Sequence, residues 1–273
     1  MNTIRTVGGD IAPSSARGLL PHEHIVVHTF GDGALPAAYR RNLDRLVRRD
    51  MARLLAAGCN TLVELTPEGD GRDPLLYRAL SQQSGMHIVM CTGAYVEASI
   101  PAPLRRRSTD ALAARMRREI EVGVGDTGIR AGVIKLASQG SAFGRTEQRM
   151  FQAAADVTRL LGVPISTHCA SGVGNQVGFF LRARVPPSRV TLGHVEVAPW
   201  PDICLAAGKG FWLCFTNFGG EAVMAEAVML AQVATLVRRG HIRQILLSND
   251  FAYFARRGRL IPHFPAPCDY LSR

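Results

Sequence analysis

The chain has 273 residues, a formal net charge of +10 and 47% hydrophobic residues. This length fits one large domain such as an α/β barrel, and the apolar content is sufficient for a buried core. No segment reaches the roughly 18 uninterrupted apolar residues that a membrane-spanning helix needs, which excludes a protein built from such spans.

Strand and helix patterns alternate along the chain. Residues 3–11 predict a strand pair turning at Gly8-Gly9, and the next strand carries His22 and His24. Further strands are predicted at 61–66, 88–95, 132–137, 165–169, 190–195, 211–215 and 245–248. Helices are predicted at 36–57, 74–84, 108–122, 146–161, 175–184, 201–208 and 221–239.

Residues that favour helix ends lie at several of these boundaries. Ser108, Thr109 or Asp110 is expected to cap the helix at 108–122, and Thr146 the helix at 146–161. Gly85 closes the helix at 74–84, because glycine adopts the left-handed conformation common after a helix.

The strict alternation predicts a (β/α)8 barrel rather than an open doubly wound sheet. Eight of the strand runs are short, continuous and apolar, as expected of parallel strands that are buried on both faces. No G-x-G-x-x-G follows the first strand, which counts against a dinucleotide-binding fold. No linker or low-complexity segment interrupts the pattern, so we expect residues 1–273 to form a single domain.

Residues that can bind metals come at the ends of four predicted strands, and a lysine lies inside a fifth. They are His22, His24, Lys135, His168, His194 and Asp250. A lone histidine at a strand end is usually a core or loop residue, and an aspartate there usually caps a helix. A lysine inside an apolar strand is harder to explain, since lysine is rarely buried without a partner. Because barrel active sites lie at the carboxyl ends of the strands, the set predicts a functional site.

Two features predict a cytoplasmic protein. The residues that follow Met1 lack the apolar segment of a secretory signal. The six cysteines are scattered and form no C-x-x-C pair, which is typical of small buried side chains in a reducing compartment.

Arginines supply most of the positive charge. The densest cluster comprises Arg105, Arg106, Arg107, Arg115, Arg117 and Arg118. A nucleic-acid-binding patch is one interpretation, but no aromatic residues interleave and no binding motif accompanies the cluster. A solvated helix face is the favoured interpretation, so we expect no nucleic-acid partner.

The ligand-type residues stand in motifs that resemble the phosphotriesterase family of the amidohydrolase superfamily, including its lactonases. The resemblance extends from Ile4 to Phe251. Its motifs are Arg5-Thr6-Val7, Pro21-His22-Glu23-His24, Thr92-Gly93-Ala94-Tyr95, Ile134-Lys135, Thr167-His168, Gly193-His194 and Ser248-Asn249-Asp250.

This resemblance implies two divalent metal ions, usually zinc, with cobalt, manganese or iron as alternatives. His22, His24 and Asp250 would hold one ion, and His168 and His194 the other. Lys135 would be carboxylated by CO2 and bridge both, together with a hydroxide that attacks the substrate. Asp250 would also accept a proton, and Tyr95 aligns with a tyrosine that helps to place the substrate. A core aromatic residue is the alternative for Tyr95.

Three departures from the family pattern bear on catalysis. Glu196 stands two residues past His194, where relatives commonly carry an aspartate of a proton relay. Thr216 and Asn217 follow the seventh strand, where many relatives carry aspartate followed by histidine or arginine. The chain after Asp250 is short and rich in proline, so the eighth helix is expected to be truncated or replaced.

The expected function is a binuclear-metal hydrolase that opens lactones or cleaves related esters, with promiscuous action on organophosphates. The alternatives are a classical phosphotriesterase (aryldialkylphosphatase), a metal-binding homologue with impaired catalysis, and the basic nucleic-acid-binding protein considered above. Relatives suggest a homodimer, with apolar surface on the first and eighth strands exposed or covered by the partner.

Overall fold

The computed structural model describes residues 3–29, 35–140, 142–169, 172–219, 224–257 and 259–263. The chain divides into two compact units. The first comprises Met1–Thr92, Arg118–Val133 and Asn249–Arg273, and the second Gly93–Arg117 and Ile134–Ser248. A single domain over the whole chain stays a prediction.

Strands and helices alternate as predicted. The strands are β1 (Ile4–Thr6), β2 (Gly9–Ile11), β3 (Leu19–Glu23), β4 (Val26–Val27), β5 (Thr61–Glu64), β6 (His87–Gly93), β7 (Val133–Ser138), β8 (Ile165–Cys169), β9 (Val190–Gly193), β10 (Trp212–Phe215), β11 (Ile245–Leu247), β12 (Tyr253–Arg256) and β13 (Arg259–Pro262). The helices are α1 (Ala37–Ala56), α2 (Pro74–Ser84), α3 (Ala102–Arg105), α4 (Thr109–Glu121), α5 (Arg145–Leu161), α6 (Val173–Arg182), α7 (Trp200–Lys209) and α8 (Glu226–Arg238).

Eight strands form one parallel sheet in the order β3, β5, β6, β7, β8, β9, β10 and β11. The order along the sheet is the order along the chain, as repeated β-α units require. In the first unit β3 pairs with β5 and β5 with β6, and in the second unit neighbouring strands pair from β7 to β11. The predicted alternation of strands and helices is therefore confirmed.

Most differences from the predicted boundaries are one or two residues. The helix predicted at 175–184 is α6, which begins at Val173 and ends at Arg182. The helix predicted at 221–239 begins at Glu226, and residues 221–223 lie outside the described residues. The side chain of Ser108 accepts a hydrogen bond from the amide of Ala111, so Ser108 supplies the cap predicted for α4.

The core of the first unit lies between α1, α2 and the strands beneath them. Its fully or nearly fully buried side chains include Leu43, Met51, Leu54, Leu62, Tyr77, Leu80, Met86 and Ile88. The apolar residues of α1 recur every three or four positions, so they lie on the face that packs on the sheet. In α2, Asp73 caps the first turn through Leu76, and Gly85 ends the helix with φ +79°.

A β-hairpin follows the eighth parallel strand along the chain. Strands β12 and β13 pair antiparallel, and β12 pairs with β4. The Tyr253 hydroxyl donates a 2.5 Å hydrogen bond to Asp50 of α1, which attaches the hairpin to that helix. The truncation or replacement of the eighth helix stays a prediction. Pro265 and Pro267 lie outside the described residues.

Apolar side chains are exposed on the first and last parallel strands. Leu19 of β3 is 48% exposed and Leu247 of β11 is 49% exposed. These side chains lie on the strands where exposed apolar surface was predicted; whether the last helix or a partner chain covers that surface stays a prediction. None of the helices in the described ranges combines the length and the apolar character needed to cross a membrane.

Gly93 allows β6 to pass close to the backbone of β7. A Cβ atom on Gly93 would lie 2.0 Å from the Lys135 carbonyl oxygen, and the Gly93 φ of +102° disfavours any side chain. We expect Gly93→Ala to lower the free energy of unfolding by about 3 kcal/mol or more, because backbone would have to move. Urea unfolding followed by circular dichroism measures this change.

Gly85→Ala is the matched control for that substitution. Gly85 also has a positive φ, +79°, but a Cβ atom there would meet nothing within 4 Å. Only the left-handed backbone disfavours alanine, so we expect a loss of about 1 kcal/mol. Equal losses at the two positions would contradict the close approach of β6 to Lys135.

Candidate metal centre

His22, His24 and Asp250 converge in the first unit. His22 is fully buried, and the His22 and His24 rings lie 5.9 Å apart between centroids. The Oδ1 atom of Asp250 lies 3.7 Å from His22 Nε2 and 3.4 Å from His24 Nε2. The sequence analysis assigned these three residues to one metal ion, and the structure brings them together.

These distances suit ligands of one cation. Zinc binds nitrogen and carboxylate oxygen at roughly 2.0–2.2 Å, so two ligands in tetrahedral geometry lie about 3.4 Å apart. Asp250 Oδ1 has that separation from both imidazoles, without contacting either at hydrogen-bond distance. Two imidazoles and a carboxylate are also a donor set that zinc, cobalt, manganese and iron accept. The residues therefore fit a divalent metal ion.

Glu23, which lies between the two histidines, holds Asp250 in place. Its Oε1 accepts a hydrogen bond from the Asn249 amide at 2.9 Å, and its Oε2 accepts one from the Phe251 amide at 2.8 Å. Asp250 itself has φ +51°, in the left-handed region that few residues other than glycine adopt. Glu23 thus accepts hydrogen bonds from the amides on both sides of a candidate ligand residue in an unfavourable backbone conformation.

A second buried glutamate contacts His24 through a threonine. The His24 Nδ1 atom lies 2.9 Å from the Thr66 hydroxyl, which donates a 2.6 Å hydrogen bond to Glu64 Oε1. Glu64 also accepts hydrogen bonds from the amides of Thr66 and Ile25. Burial raises the pKa of the Glu64 carboxyl, although these hydrogen bonds oppose the shift.

Lys135 is fully buried in β7 of the second unit. Along β7 and β8 it pairs with Ser166, two residues before the pairing of Ala137 with His168. Burial disfavours the charged ammonium form of any lysine, and nearby cations would disfavour it further. The burial predicted for this strand lysine is confirmed, whereas its role as a metal ligand stays a prediction.

His168 and His194 lie beside each other in the same unit. Their ring centroids are 4.3 Å apart and the ring planes differ by 65°. The Tyr95 hydroxyl lies 3.1 Å from His168 Nε2, so the side chain points at a candidate ligand. Tyr95 is only partly buried, and this contact favours the predicted site role over a core aromatic residue.

Glu196, Thr216 and Asn217, the residues that depart from the family pattern after the sixth and seventh strands, contact one another. The Glu196 carboxylate accepts hydrogen bonds from the Thr216 amide at 3.2 Å, from the Thr216 hydroxyl at 3.1 Å and from the Asn217 side chain. The Thr216 hydroxyl lies 2.6 Å from His194 Nδ1. Glu196 is fully buried, and burial raises the pKa of its carboxyl. The Glu196 side chain, which is longer than the aspartate expected there, thus has hydrogen-bond partners in Thr216 and Asn217.

Glu97, rather than Thr146, caps α5 with its side chain. The Glu97 carboxylate accepts hydrogen bonds from the amides of Thr146 and Glu147 and from the Thr146 hydroxyl. Glu147 in return accepts from the amides of Glu97 and Gly144. The predicted cap at Thr146 is therefore wrong, because the chain turns at Gly144 and Thr146 lies inside the helix. These hydrogen bonds attach the segment after β6, which includes Tyr95, to the start of α5.

Sequence reasoning missed the residues that support the ligands. Glu23, Glu64 and Thr66 of the first unit and Thr216 of the second unit were assigned no supporting part. One signal could have found Glu64, since a glutamate within an apolar strand is as unusual as the lysine that drew attention to Lys135. The Glu23 contacts join residues 226 and 228 positions apart, and no local pattern indicates such pairs.

Comparisons with known proteins agree with this architecture. Two solved structures from Deinococcus radiodurans resemble the chain, each over 98% of its length. They are an organophosphorus hydrolase (TM-score 0.89, 30% identity, 86% of that chain covered) and a variant of a PTE-like lactonase (TM-score 0.87, 29% identity, 89% of that chain covered). The protein is a (β/α)8 barrel, as its sequence predicts.

The family follows from the sequence comparisons. The phosphotriesterase family model matches residues 2–264. A phosphotriesterase homology protein of Escherichia coli (strain K12) is 30% identical over 264 residues, which covers 92% of this chain and 86% of that protein. The chain belongs to the phosphotriesterase family, as the motif resemblance indicated.

Glu23→Gln should loosen the segment that carries Asp250. The NH2 group of the glutamine side chain would face the backbone amide of either Asn249 or Phe251. One buried hydrogen bond would then be lost, and two donors would face each other. We expect the free energy of unfolding to fall by about 2–3 kcal/mol. Urea unfolding of the metal-free protein measures the change. Glu121→Gln, at an exposed position, is the control, and an equal effect there would contradict the proposed support.

Glu97 should make stability depend on pH. Its partial burial raises the pKa of the carboxyl, but the hydrogen bonds from Thr146 and Glu147 outweigh this and lower it. A lowered pKa means that the stabilisation is present above the free glutamate pKa of about 4.3 and is lost as pH falls through the folded value. We expect Glu97→Gln to lower stability by about 1–2 kcal/mol at pH 7.

The difference between wild type and Glu97→Gln should begin to shrink as pH falls through the free glutamate pKa of about 4.3, and should close once pH lies below the lowered pKa of the folded carboxyl. Urea unfolding from pH 3 to pH 8 follows this closure. Asp126→Asn serves as the control, since the Asp126 side chain is fully exposed and its removal should change stability by under about 0.5 kcal/mol. A difference in the free energy of unfolding between wild type and Glu97→Gln that stays constant down to pH 3 would contradict the role of the Glu97 charge.

Proposed function

We propose that the protein is a metal-dependent hydrolase that opens lactones or cleaves related esters, with weaker action on organophosphate triesters. Its cofactors would be two divalent cations, of which zinc is favoured. His22, His24 and Asp250 are proposed as ligands of one ion and His168 and His194 as ligands of the other. Lys135, as its carbamate, is proposed as the ligand common to both.

The observation that carries the proposal is the complete burial of Lys135. The chain has 32 basic residues of the Lys and Arg types, yet only two are lysines, Lys135 and Lys209. An arginine at position 135 would stay charged and could not coordinate a cation. A neutral lysine amine reacts with CO2 to form a carbamate, releasing one proton, and the product is an anionic ligand with two oxygens. A buried lysine is thus chemically suited to this position.

When bound, the two cations would act as Lewis acids on the C=O or P=O group that is attacked, and would lower the pKa of the attacking water; the bond that breaks is the single bond to the leaving oxygen. Asp250 would accept the proton from that water at its carboxylate and pass it to the leaving oxygen. Tyr95 would orient the substrate through its hydroxyl, which lies 3.1 Å from His168 Nε2. Glu23 would keep Asp250 in position through the amides on either side of it.

Lactones and esters are preferred over phosphotriesters by analogy with the similar solved lactonase. The same centre can serve both classes because each reaction adds water to an electrophilic carbon or phosphorus. A homologue that binds metal without efficient turnover is the competing proposal, since Glu196, Thr216 and Asn217 depart from the family pattern.

Substitution of Lys135 tests the proposal, with Lys209 as a matched control. Lys209 is exposed at the end of α7. Protein prepared with zinc and bicarbonate is assayed on a panel of lactones, aryl esters and phosphotriesters, and its metal content is measured. We expect Lys135→Ala to lower kcat/KM by more than about 100-fold, since even residues outside the ligand set typically cost 10–100-fold. Lys209→Ala should retain activity.

A spectroscopic measurement separates the ligand role from turnover. Carbon-13 NMR with labelled bicarbonate should show a carbamate resonance in wild type and Lys209→Arg but not in Lys135→Arg. Two metal ions per chain without turnover on any substrate would support the impaired homologue. Absence of both the resonance and stoichiometric metal would overturn the proposed centre.

A further inference from the structure

The same three-residue arrangement occurs once in each unit. In the first unit the Thr66 hydroxyl lies between His24 Nδ1, at 2.9 Å, and Glu64 Oε1, at 2.6 Å. In the second unit the Thr216 hydroxyl lies between His194 Nδ1, at 2.6 Å, and Glu196 Oε1, at 3.1 Å. In both cases the threonine also donates its own amide to the same carboxylate.

The surroundings of each glutamate determine the direction of these hydrogen bonds. Both oxygens of Glu64 accept from backbone amides, Ile25 at Oε1 and Thr66 at Oε2. The Thr216 amide likewise contacts both oxygens of Glu196, and the Asn217 amide group adds a donor. Because an N–H group can only donate, the carboxylate oxygens act as acceptors. An ionised carboxylate has no proton to donate, so each threonine hydroxyl gives its proton to the glutamate.

A hydroxyl that donates its one proton to a carboxylate can only accept from the histidine. The Nδ1 atoms of His24 and His194 must then carry the proton in the neutral rings, and the lone pair lies on Nε2. The His24 Nε2 atom lies 3.4 Å from Asp250 Oδ1. The unprotonated nitrogen is thus the one that faces another candidate ligand.

We propose that Thr66 and Thr216 are positioning residues that hold His24 and His194 in the Nδ1-protonated form and so present Nε2 as the metal ligand atom. Each threonine acts through the buried glutamate behind it. The part that concerns metal binding rests on the function proposed above, whereas the protonated position of each ring stands on the hydrogen bonds alone. Thr216 thereby gains a role that the family pattern at the seventh strand did not suggest.

The ring protonation is tested in metal-free protein by long-range nitrogen-15 NMR of the histidines. Spectra of His24→Gln and His194→Gln assign the two rings. We expect wild type to show Nδ1 protonated in both rings at a pH where they are neutral. Thr66→Val and Thr216→Val keep the shape of the side chain but remove the hydroxyl, so the affected ring should show a mixture of both tautomers. Thr66→Ser and Thr216→Ser keep the hydroxyl and should retain the wild-type pattern.

Zinc binding measured by competition with a chelating dye gives the second readout. Each valine variant should bind zinc about 10–100-fold more weakly, the usual effect of removing a partner of a ligating histidine, and each serine variant should bind nearly as wild type. Thr167→Val is the control, because the Thr167 hydroxyl is buried beside His168 and has no hydrogen-bond partner among the described residues. It should change neither the tautomers nor the zinc affinity.

The outcomes separate this inference from the proposed function. Rings protonated mainly at Nε2 in wild type would overturn the inference, as would valine variants with unchanged tautomers. Nδ1-protonated rings in a protein that binds no zinc would support the positioning arrangement and overturn the metal centre. If a valine variant fails to fold, the wild-type and serine spectra still decide the tautomer.

Discussion

Buried glutamates hold the candidate ligands in place, and the geometry of the site depends on them. Glu23, Glu64 and Glu196 are each at most 4% exposed. A buried carboxylate is costly unless its oxygens are hydrogen-bonded, so each one orders the donors around it. Those donors are the amides beside Asp250 and the threonines that contact His24 and His194. Three local charges thus orient three candidate ligands.

Two of the candidate ligands, His194 and Asp250, have backbone conformations that are uncommon for residues other than glycine. In the described part of the chain, four residues other than glycine have positive φ, and His194 and Asp250 are two of them. Such conformations persist when surrounding contacts over-determine them, and they are frequent at functional sites. Glu23 supplies these contacts at Asp250, and Thr216 contacts the His194 ring. His194 and Asp250, two of the candidate ligands, are therefore held in backbone conformations that are uncommon for residues other than glycine.

The departures from the family pattern are coupled to one another. Glu196 is one methylene longer than the aspartate that relatives commonly carry, and its carboxylate meets Thr216 and Asn217, which stand where other residues are usual. Taken singly, each substitution weakens the expectation of a proton relay. Taken together, they form a hydrogen-bonded cluster behind His194, which is a different way to support a candidate ligand histidine.

The sequence alone determined the fold class, the family and the six candidate metal ligands, because alternating apolar runs and short motifs are local signals. It also located most helix ends within two residues, as Gly85 illustrates. Only the tertiary structure decided that Glu23 binds around Asp250, that Glu97 caps α5, and that a hairpin attached to Asp50 follows the last parallel strand. These contacts join residues far apart in the chain, and their hydrogen bonds depend on which side chains the packed strands bring together.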